Sequence, residues 1–260
     1  MLLSALLSLW LPKPPPGFKV GVPSEDTTYA ETQMYVVSTK NGKLIVESEA
    51  QQAAKLARNL KSKSACKPIL KTFESGFRQY FTPGDGIPYA NGELFFADVG
   101  EWGGALTFLP RGSRKPEVVM LDNVKAITIM GSRIIELSDQ SFMDEGGTYI
   151  REIIRQSDKW RIKAISTPPF APNVAVGVAD GFLVTTRKLS ADKPSAVQGV
   201  YHLSIQGKYR LIAKFDLSSH RVESIARTAD NVIWLGGLHF VAALLPAAGG
   251  GYSTTFYIPK

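Results

Sequence analysis

A chain of 260 residues, with 44% hydrophobic and 20% charged residues, has the composition of a globular protein, which excludes an extensively disordered one. Its 30 Lys and Arg against 23 Asp and Glu give a net charge of +7, which attracts acidic partners of any class without selecting one. The single cysteine, Cys66, excludes an intrachain disulfide and a thiolate metal cluster.

The N-terminal residues form an apolar run, MLLSALLSLWL, of the length of a signal-peptide core and too short to cross a bilayer. No basic residue precedes it and no small-residue cleavage site comes after it, so it is either a weak export signal or a core helix. The proline-rich stretch from Pro12 to Pro16 favours an extended linker. We therefore expect a segment 1–16 and one domain, 17–260, located in the periplasm or outside the cell, with the cytoplasm as the alternative and no transmembrane segment.

A tight-turn pair followed by a short apolar strand recurs five times along the chain. The repeats are marked by equivalent apolar residues: Leu44, Leu94, Ile134, Leu183 and Ile233. These marks are separated by 50, 40, 49 and 50 residues. The pairs include Asn-Gly, Asp-Gly and Gly-Ser, which suit the positive φ at the centre of a two-residue hairpin turn. The sequence thus predicts an internal repeat of hairpins.

Around each turn the same strand order is predicted, so each repeat reads as a four-stranded meander. First strands are expected at 124–130, 174–178 and 222–228; third strands at 105–109, 148–154, 200–205 and 240–245; fourth strands at 117–121, 160–165, 209–215 and 252–258. A meander of this size is typical of a propeller blade. Five such blades fit the chain, and we predict an all-β, five-bladed β-propeller. A β-sandwich and a two-domain chain are the alternatives.

The first repeat departs from this pattern. Residues 49–61 read EAQQAAKLARNLK, in which Ala53, Leu56, Ala57 and Leu60 share one face of a helix and the basic residues lie on the other. We therefore predict one inserted basic helix. Residues 18–22 are a candidate extra strand that completes the ring.

The last repeat, residues 228–246, reads TADNVIWLGGLHFVAALLP. It resembles the closing blade of uncharacterised bacterial five-bladed β-propeller-like proteins, in which a Gly-x-x-His-Phe/Tyr-Val segment comes after a strand. Residues 90–137 are similar in style. The resemblance implies the fold and an exported bacterial protein, but no activity. Five-bladed propellers include lectins, glycoside hydrolases and glutaminyl cyclases, so the fold alone predicts no chemistry.

In such a fold, the loops after second strands share one face with the loops after fourth strands. The binding residues that we predict on this face are Asp98, Glu101, Trp102, Phe142, Asp144, Glu145, Phe170, His220 and His239. Its aromatic side chains suit anchors of a protein interface or stacking platforms for a sugar. Its carboxylates, with Asp139, could instead include the opposed pair of a glycosidase. His239 also suits a structural hydrogen bond at the ring closure.

The sequence contains no nucleophile elbow, phosphate-binding loop or dinucleotide fingerprint, and residues 139–145 lack the ligand spacing of a calcium loop. We therefore assign no catalytic residue, no metal and no cofactor. The leading hypothesis is a non-catalytic binding module for a protein partner, as an inhibitor or immunity-type protein. The alternative is a carbohydrate-binding or glycoside-hydrolysing propeller. Nucleic acid is disfavoured, because no aromatic residues interleave the basic helix.

Overall fold

A computed structural model describes residues 12–23, 33–61, 86–98, 104–113, 115–140, 147–186, 199–214, 222–247 and 251–260, with the backbone alone for 56–61, 97 and 98. The chain forms two compact units. The first combines residues 1–51 with 212–260, and the second comprises residues 52–211.

The second unit contains three antiparallel meanders, called here blades A, B and C. Blade A comprises β4 (Ile87–Tyr89), β5 (Gly92–Asp98), β6 (Gly104–Pro110) and β7 (Glu117–Met120). Blade B comprises β8 (Val124–Met130), β9 (Arg133–Asp139), β10 (Thr148–Gln156) and β11 (Lys159–Ser166). Blade C comprises β12 (Pro172–Val178), β13 (Gly181–Thr186), β14 (Gly199–Ser204) and β15 (Tyr209–Lys214), whose last residues belong to the first unit.

The first unit contains blade D and a separate hairpin. Blade D comprises β16 (Val222–Arg227), β17 (Ile233–Gly237), β18 (Phe240–Pro246) and β19 (Tyr252–Pro259), and β1 (Phe18–Val20) pairs antiparallel with the outer side of β19. The hairpin joins β2 (Tyr35–Lys40) to β3 (Lys43–Ser48), and α1 (Glu49–Lys61) begins directly after it. The chain is therefore all-β and of the propeller type, and the described residues include a helix, α1, where the sequence predicts it.

The expected number of five blades is wrong, because the described residues form four. The first repeat builds only the hairpin β2–β3, to which no described strand adds a third or fourth member. The reason is local: the residues after Ser48 are rich in alanine and straight-chain side chains, which favour a helix over a strand. The hairpin instead packs on blade D, where the Val37 N–H donates a 2.8 Å hydrogen bond to Ser224 Oγ.

Apolar side chains on the two faces of blade B join it to its neighbours. One face contributes Ile134 and Ile153 to a core shared with Leu94 and Phe108 of blade A. The other face contributes Leu137 to a core that includes Phe182 of blade C. Because successive side chains of a strand point to opposite faces, β9 contributes to both cores. Blade B by itself would expose both apolar faces to water, so it needs a neighbouring blade on each side.

Two glycines that the sequence assigns to hairpin turns have another role. The turns occupy Ala90 with Asn91, and Ala179 with Asp180, one residue earlier than the Asn-Gly and Asp-Gly pairs suggest. A Cβ on the following Gly92 would overlap the carbonyl oxygen of a residue in the neighbouring strand, and the same holds for Gly181. These glycines therefore permit a close approach of strands.

Candidate functional site

In the second unit, the loop after β7 lies beside the start of β6 and the end of β9, whereas most residues of the loops predicted to share one face lie outside the described part of the chain. The Asp122 N–H, after β7, donates a 3.1 Å hydrogen bond to Gly104 O at the start of β6. The Asp139 N–H, at the end of β9, donates one of the same length to Asn123 O. The first bond holds the loop after β7 against blade A, and the second holds it against β9 of blade B. We call the surface formed by residues 104, 121–123, 139–140 and 147–149 the loop face.

An ion cluster lies beneath this surface. The Arg151 guanidinium pairs with the Asp122 carboxylate, donates a 3.1 Å hydrogen bond to Ser138 Oγ and lies 3.6 Å from Glu136 Oε2. The other oxygen of Asp122 accepts a 2.8 Å hydrogen bond from the Asn123 N–H. The guanidinium also lies 4.7 Å from the centre of the Tyr149 ring, within cation–π range. The cluster thus connects the loop after β7 to two strands of blade B.

Glu136 is the least ordinary member of the cluster. Its side chain is fully buried, and neither carboxylate oxygen accepts a well-formed hydrogen bond from the described residues. Burial raises its pKa from 4.5 to about 8, because the interior disfavours the charged form; the Arg151 charge and the Ser138 hydroxyl lower it in part, and the Asp122 charge raises it. At neutral pH the Glu136 carboxyl is therefore mostly protonated, and the charged groups of the cluster are the Arg151 guanidinium and the Asp122 carboxylate.

The burial and pairing of these carboxyl groups are typical of a structural ion cluster and not of a glycosidase site. A glycosidase needs two carboxyl groups that contact a sugar from opposite sides. Glu136 has no exposed surface, and the Asp122 side chain is only 3% exposed and already paired with Arg151. Buried ion pairs that keep their partners hold the attached backbone in one arrangement. The ion cluster therefore supports the loop after β7, through the pair between Arg151 and Asp122.

That loop presents a large apolar side chain to solvent. Leu121 is 74% exposed, although the next residue is buried in the ion cluster. The backbone on either side is held, because Met120 ends β7 and the Asp122 N–H is bonded to Gly104 O. The loop face thus carries an apolar group on a fixed backbone, which is the geometry of an interface anchor.

Most of the predicted site residues lie outside the described part of the chain. This holds for the residues Glu101, Trp102, Phe142, Asp144, Glu145 and His220, and for the side chain of Asp98, whose backbone ends β5. Of the five carboxylates proposed for a glycosidase, only Asp139 has a described side chain, at the edge of the loop face.

Phe170 and His239 lie within the described residues and make specific contacts. Phe170 is 8% exposed, and its ring centre lies 5.2 Å from that of Tyr209, so the side chain belongs to the core of blade C. Its carbonyl oxygen accepts a 2.6 Å hydrogen bond from Thr148 Oγ1 of blade B. His239 exchanges two hydrogen bonds with Gln33: its N–H donates to Gln33 O, and its Nε2 accepts the Gln33 N–H at 3.0 Å.

Four residues of this surface and its support were not predicted from the sequence: Leu121, Asp122, Glu136 and Arg151. Leu121 was expected to end the fourth strand, but β7 ends at Met120. The alignment of the repeats contained the signal for Glu136: it stands two residues after Ile134, where the other repeats carry Val, Phe, Thr or Leu. A charge at a position that is otherwise mostly apolar indicates a buried partner.

No family model and no curated protein matches the chain. The solved structures that are similar to it include two at 12% identity each. TolB from Acinetobacter baumannii matches over 91% of this chain with a TM-score of 0.42. PorZ from Porphyromonas gingivalis, described as an essential bacterial surface component of the type-IX secretion system, matches over 88% with a TM-score of 0.19. The chain spans 51% of the first structure and 42% of the second, and at these TM-scores the fold assignment rests on the sheets themselves.

Two kinds of feature are absent from the described residues. No helix among them is long and apolar enough to cross a membrane. No group of three or more His, Cys, Asp or Glu side chains among them is placed to hold a metal ion.

Proposed function

We propose that this protein is a non-catalytic binding module that engages a protein partner through the loop face. The observation that carries the proposal is Leu121, an exposed leucine on backbone held by the Asp122–Arg151 ion pair. Single exposed leucines are common on protein surfaces, and exposure alone would not distinguish this one. Its distinction is that the adjacent residue is fixed in the protein interior.

A loop that becomes ordered on binding loses part of the binding energy. Burying a leucine side chain contributes about 2 kcal/mol. A mobile loop loses much of this gain, since each ordered residue costs about 1 kcal/mol or more of conformational entropy. Leu121 avoids much of that cost, because the next residue, Asp122, is already bonded to Gly104 of blade A and paired with Arg151 of blade B. Tyr149, whose ring stacks on Arg151 at the same end of the blade, supplies a second partly exposed group.

The proposal is tested by site-specific photo-crosslinking in cells of the source organism. A photoreactive amino acid replaces Leu121, and, as a matched control, Val22, which is 80% exposed in the first unit. We expect a discrete crosslinked protein from position 121 that is absent from position 22. In affinity capture with this protein as bait, we expect Leu121→Ser to reduce the recovery of that partner about tenfold, the equivalent of about 1.4 kcal/mol. Val22→Ser should leave the recovery of the partner unchanged. Equal recovery with both serine variants would contradict the proposal.

A further inference from the structure

The outer strand of blade B has an open edge. β11 is eight residues long, pairs on one side with β10, and no described strand pairs with its other side. Six of its eight residues are exposed, including Ile162 at 45%. An exposed edge strand presents unpaired backbone N–H and C=O groups that can pair with an added strand.

The same position in blade D is occupied by such an added strand. There β1 pairs with β19 through Phe18↔Pro259, Lys19↔Ile258 and Val20↔Tyr257. The Lys260 N–H extends the pairing with a 2.9 Å hydrogen bond to Gly17 O. The outer strand of a blade in this protein therefore accepts an antiparallel segment as short as three residues.

The side chains of β11 specify the charge of an occupant. Lys159, Arg161 and Lys163 alternate along the strand, are all exposed and lie on one face of the sheet. The residue of β10 opposite Lys163 is Glu152, and its carboxylate is already paired with Arg133 at 3.0 Å. Alternate residues of a strand are about 6.7 Å apart, so carboxylates at alternate positions of an added strand would match this row.

The other face of β11 disfavours a nucleic acid. Base stacking needs an available aromatic ring, and the one aromatic side chain of the strand is Trp160. That ring is engaged: it packs 5.5 Å from Phe108, and its Nε1 donates a 3.2 Å hydrogen bond to Glu117. Arg155 covers the same ring at 5.2 Å. The remaining exposed side chain on this face with substantial apolar area is Ile162, which suits an aliphatic residue of a peptide.

We propose that β11 binds an extended acidic segment of a partner protein as a fifth strand of blade B, with carboxylates at alternate positions facing Lys159, Arg161 and Lys163. Backbone pairing along the edge supplies the affinity, and the alternation of charge supplies the register. This surface is separate from the loop face, and its test is independent of Leu121.

The test uses the full chain and two fluorescein-labelled peptides of identical composition, TEVEVET and TVEEEVT, measured by fluorescence anisotropy at about 0.05 M salt. We expect TEVEVET to bind about tenfold more tightly, since only its carboxylates alternate. Arg161→Glu should weaken this binding about tenfold. Lys43→Glu, an exposed charge reversal in the β2–β3 hairpin, should change it less than about twofold.

Four results would overturn the proposal. Equal affinity for the two peptides would indicate non-specific attraction, and absence of binding at about millimolar peptide would show that the edge takes no acidic strand. Tighter binding of an oligothymidylate that competes with TEVEVET would identify a nucleic acid as the occupant. A dimer in analytical ultracentrifugation that Arg161→Glu dissociates would identify a second copy of this chain. Circular dichroism of Arg161→Glu and of the milder Arg161→Gln confirms that each variant is folded.

Discussion

The buried carboxyl of Glu136 should make the protein less stable as the pH rises. Its pKa is raised from 4.5 to about 8 in the folded protein, chiefly by burial. In the unfolded chain the group ionises near its usual value, so between about pH 4.5 and about pH 8 only the unfolded state has released the proton. The contribution of Glu136 to the free energy of unfolding is therefore complete below this window, falls across it and levels off above it.

The magnitude is set by the width of that window. Each pH unit is equivalent to about 1.4 kcal/mol, so the rise from 4.5 to about 8 corresponds to a loss of about 5 kcal/mol. At about pH 7 roughly 3 kcal/mol of this is already lost. The folded state of an ordinary domain is favoured by about 5–15 kcal/mol, so a loss of this size is large enough to measure.

Glu136→Gln isolates this contribution, because the amide has the same shape and does not ionise. Differential scanning calorimetry from about pH 5 to about pH 9 should show the variant gaining stability relative to the natural protein as pH rises. Glu93→Gln, an exposed carboxyl of blade A, is the matched control and should behave like the natural protein. A constant difference between Glu136→Gln and the natural protein across this range would refute the reasoning, because it would mean that Glu136 has the same pKa in both states.

Two further substitutions test how the strands of neighbouring sheets approach each other. Gly177→Ala should destabilise the protein by about 3 kcal/mol in urea unfolding, because the new Cβ would overlap Ile127 O, whereas Gly147→Ala meets only an ordinary van der Waals contact and should cost less than about 1 kcal/mol. Ser224→Ala should lower the free energy of unfolding by about 2 kcal/mol, because the Val37 N–H loses its buried acceptor. Thermal unfolding measures this loss, and an unchanged midpoint would show that the β2–β3 hairpin does not depend on that bond.

The strands were predictable because their signals are local. Turn residues and short apolar runs mark each hairpin, and the expected strand at 124–130 coincides with β8. The helix at 49–61 was predictable from the helical spacing of its apolar residues and from its alanine content. The glycines were misread at Gly92 and Gly181, where the demand for a missing Cβ comes from the carbonyl of a neighbouring strand. Nothing in the local sequence distinguishes that demand from a turn.

The number of blades depended on information of longer range. A repeat mark at Leu44 predicts a hairpin, and the hairpin exists as β2–β3. A hairpin grows into a four-stranded sheet only if the next part of the chain supplies two more strands, and here the next residues form α1. The edge of β2 is instead used against blade D, through the Val37–Ser224 hydrogen bond between residues 187 apart.

By itself, the sequence determined the repeating four-stranded unit and the position of the helix, because alternation, turn chemistry and helix period act between residues close in the chain. The tertiary structure alone decided which charged side chains matter. Asp122 and Arg151 are 29 residues apart and meet only when blades A and B are joined, and Glu136 acquires its raised pKa only when folding buries its side chain. Desolvation and ion pairing are properties of the packed interior, and no spacing along the chain encodes them.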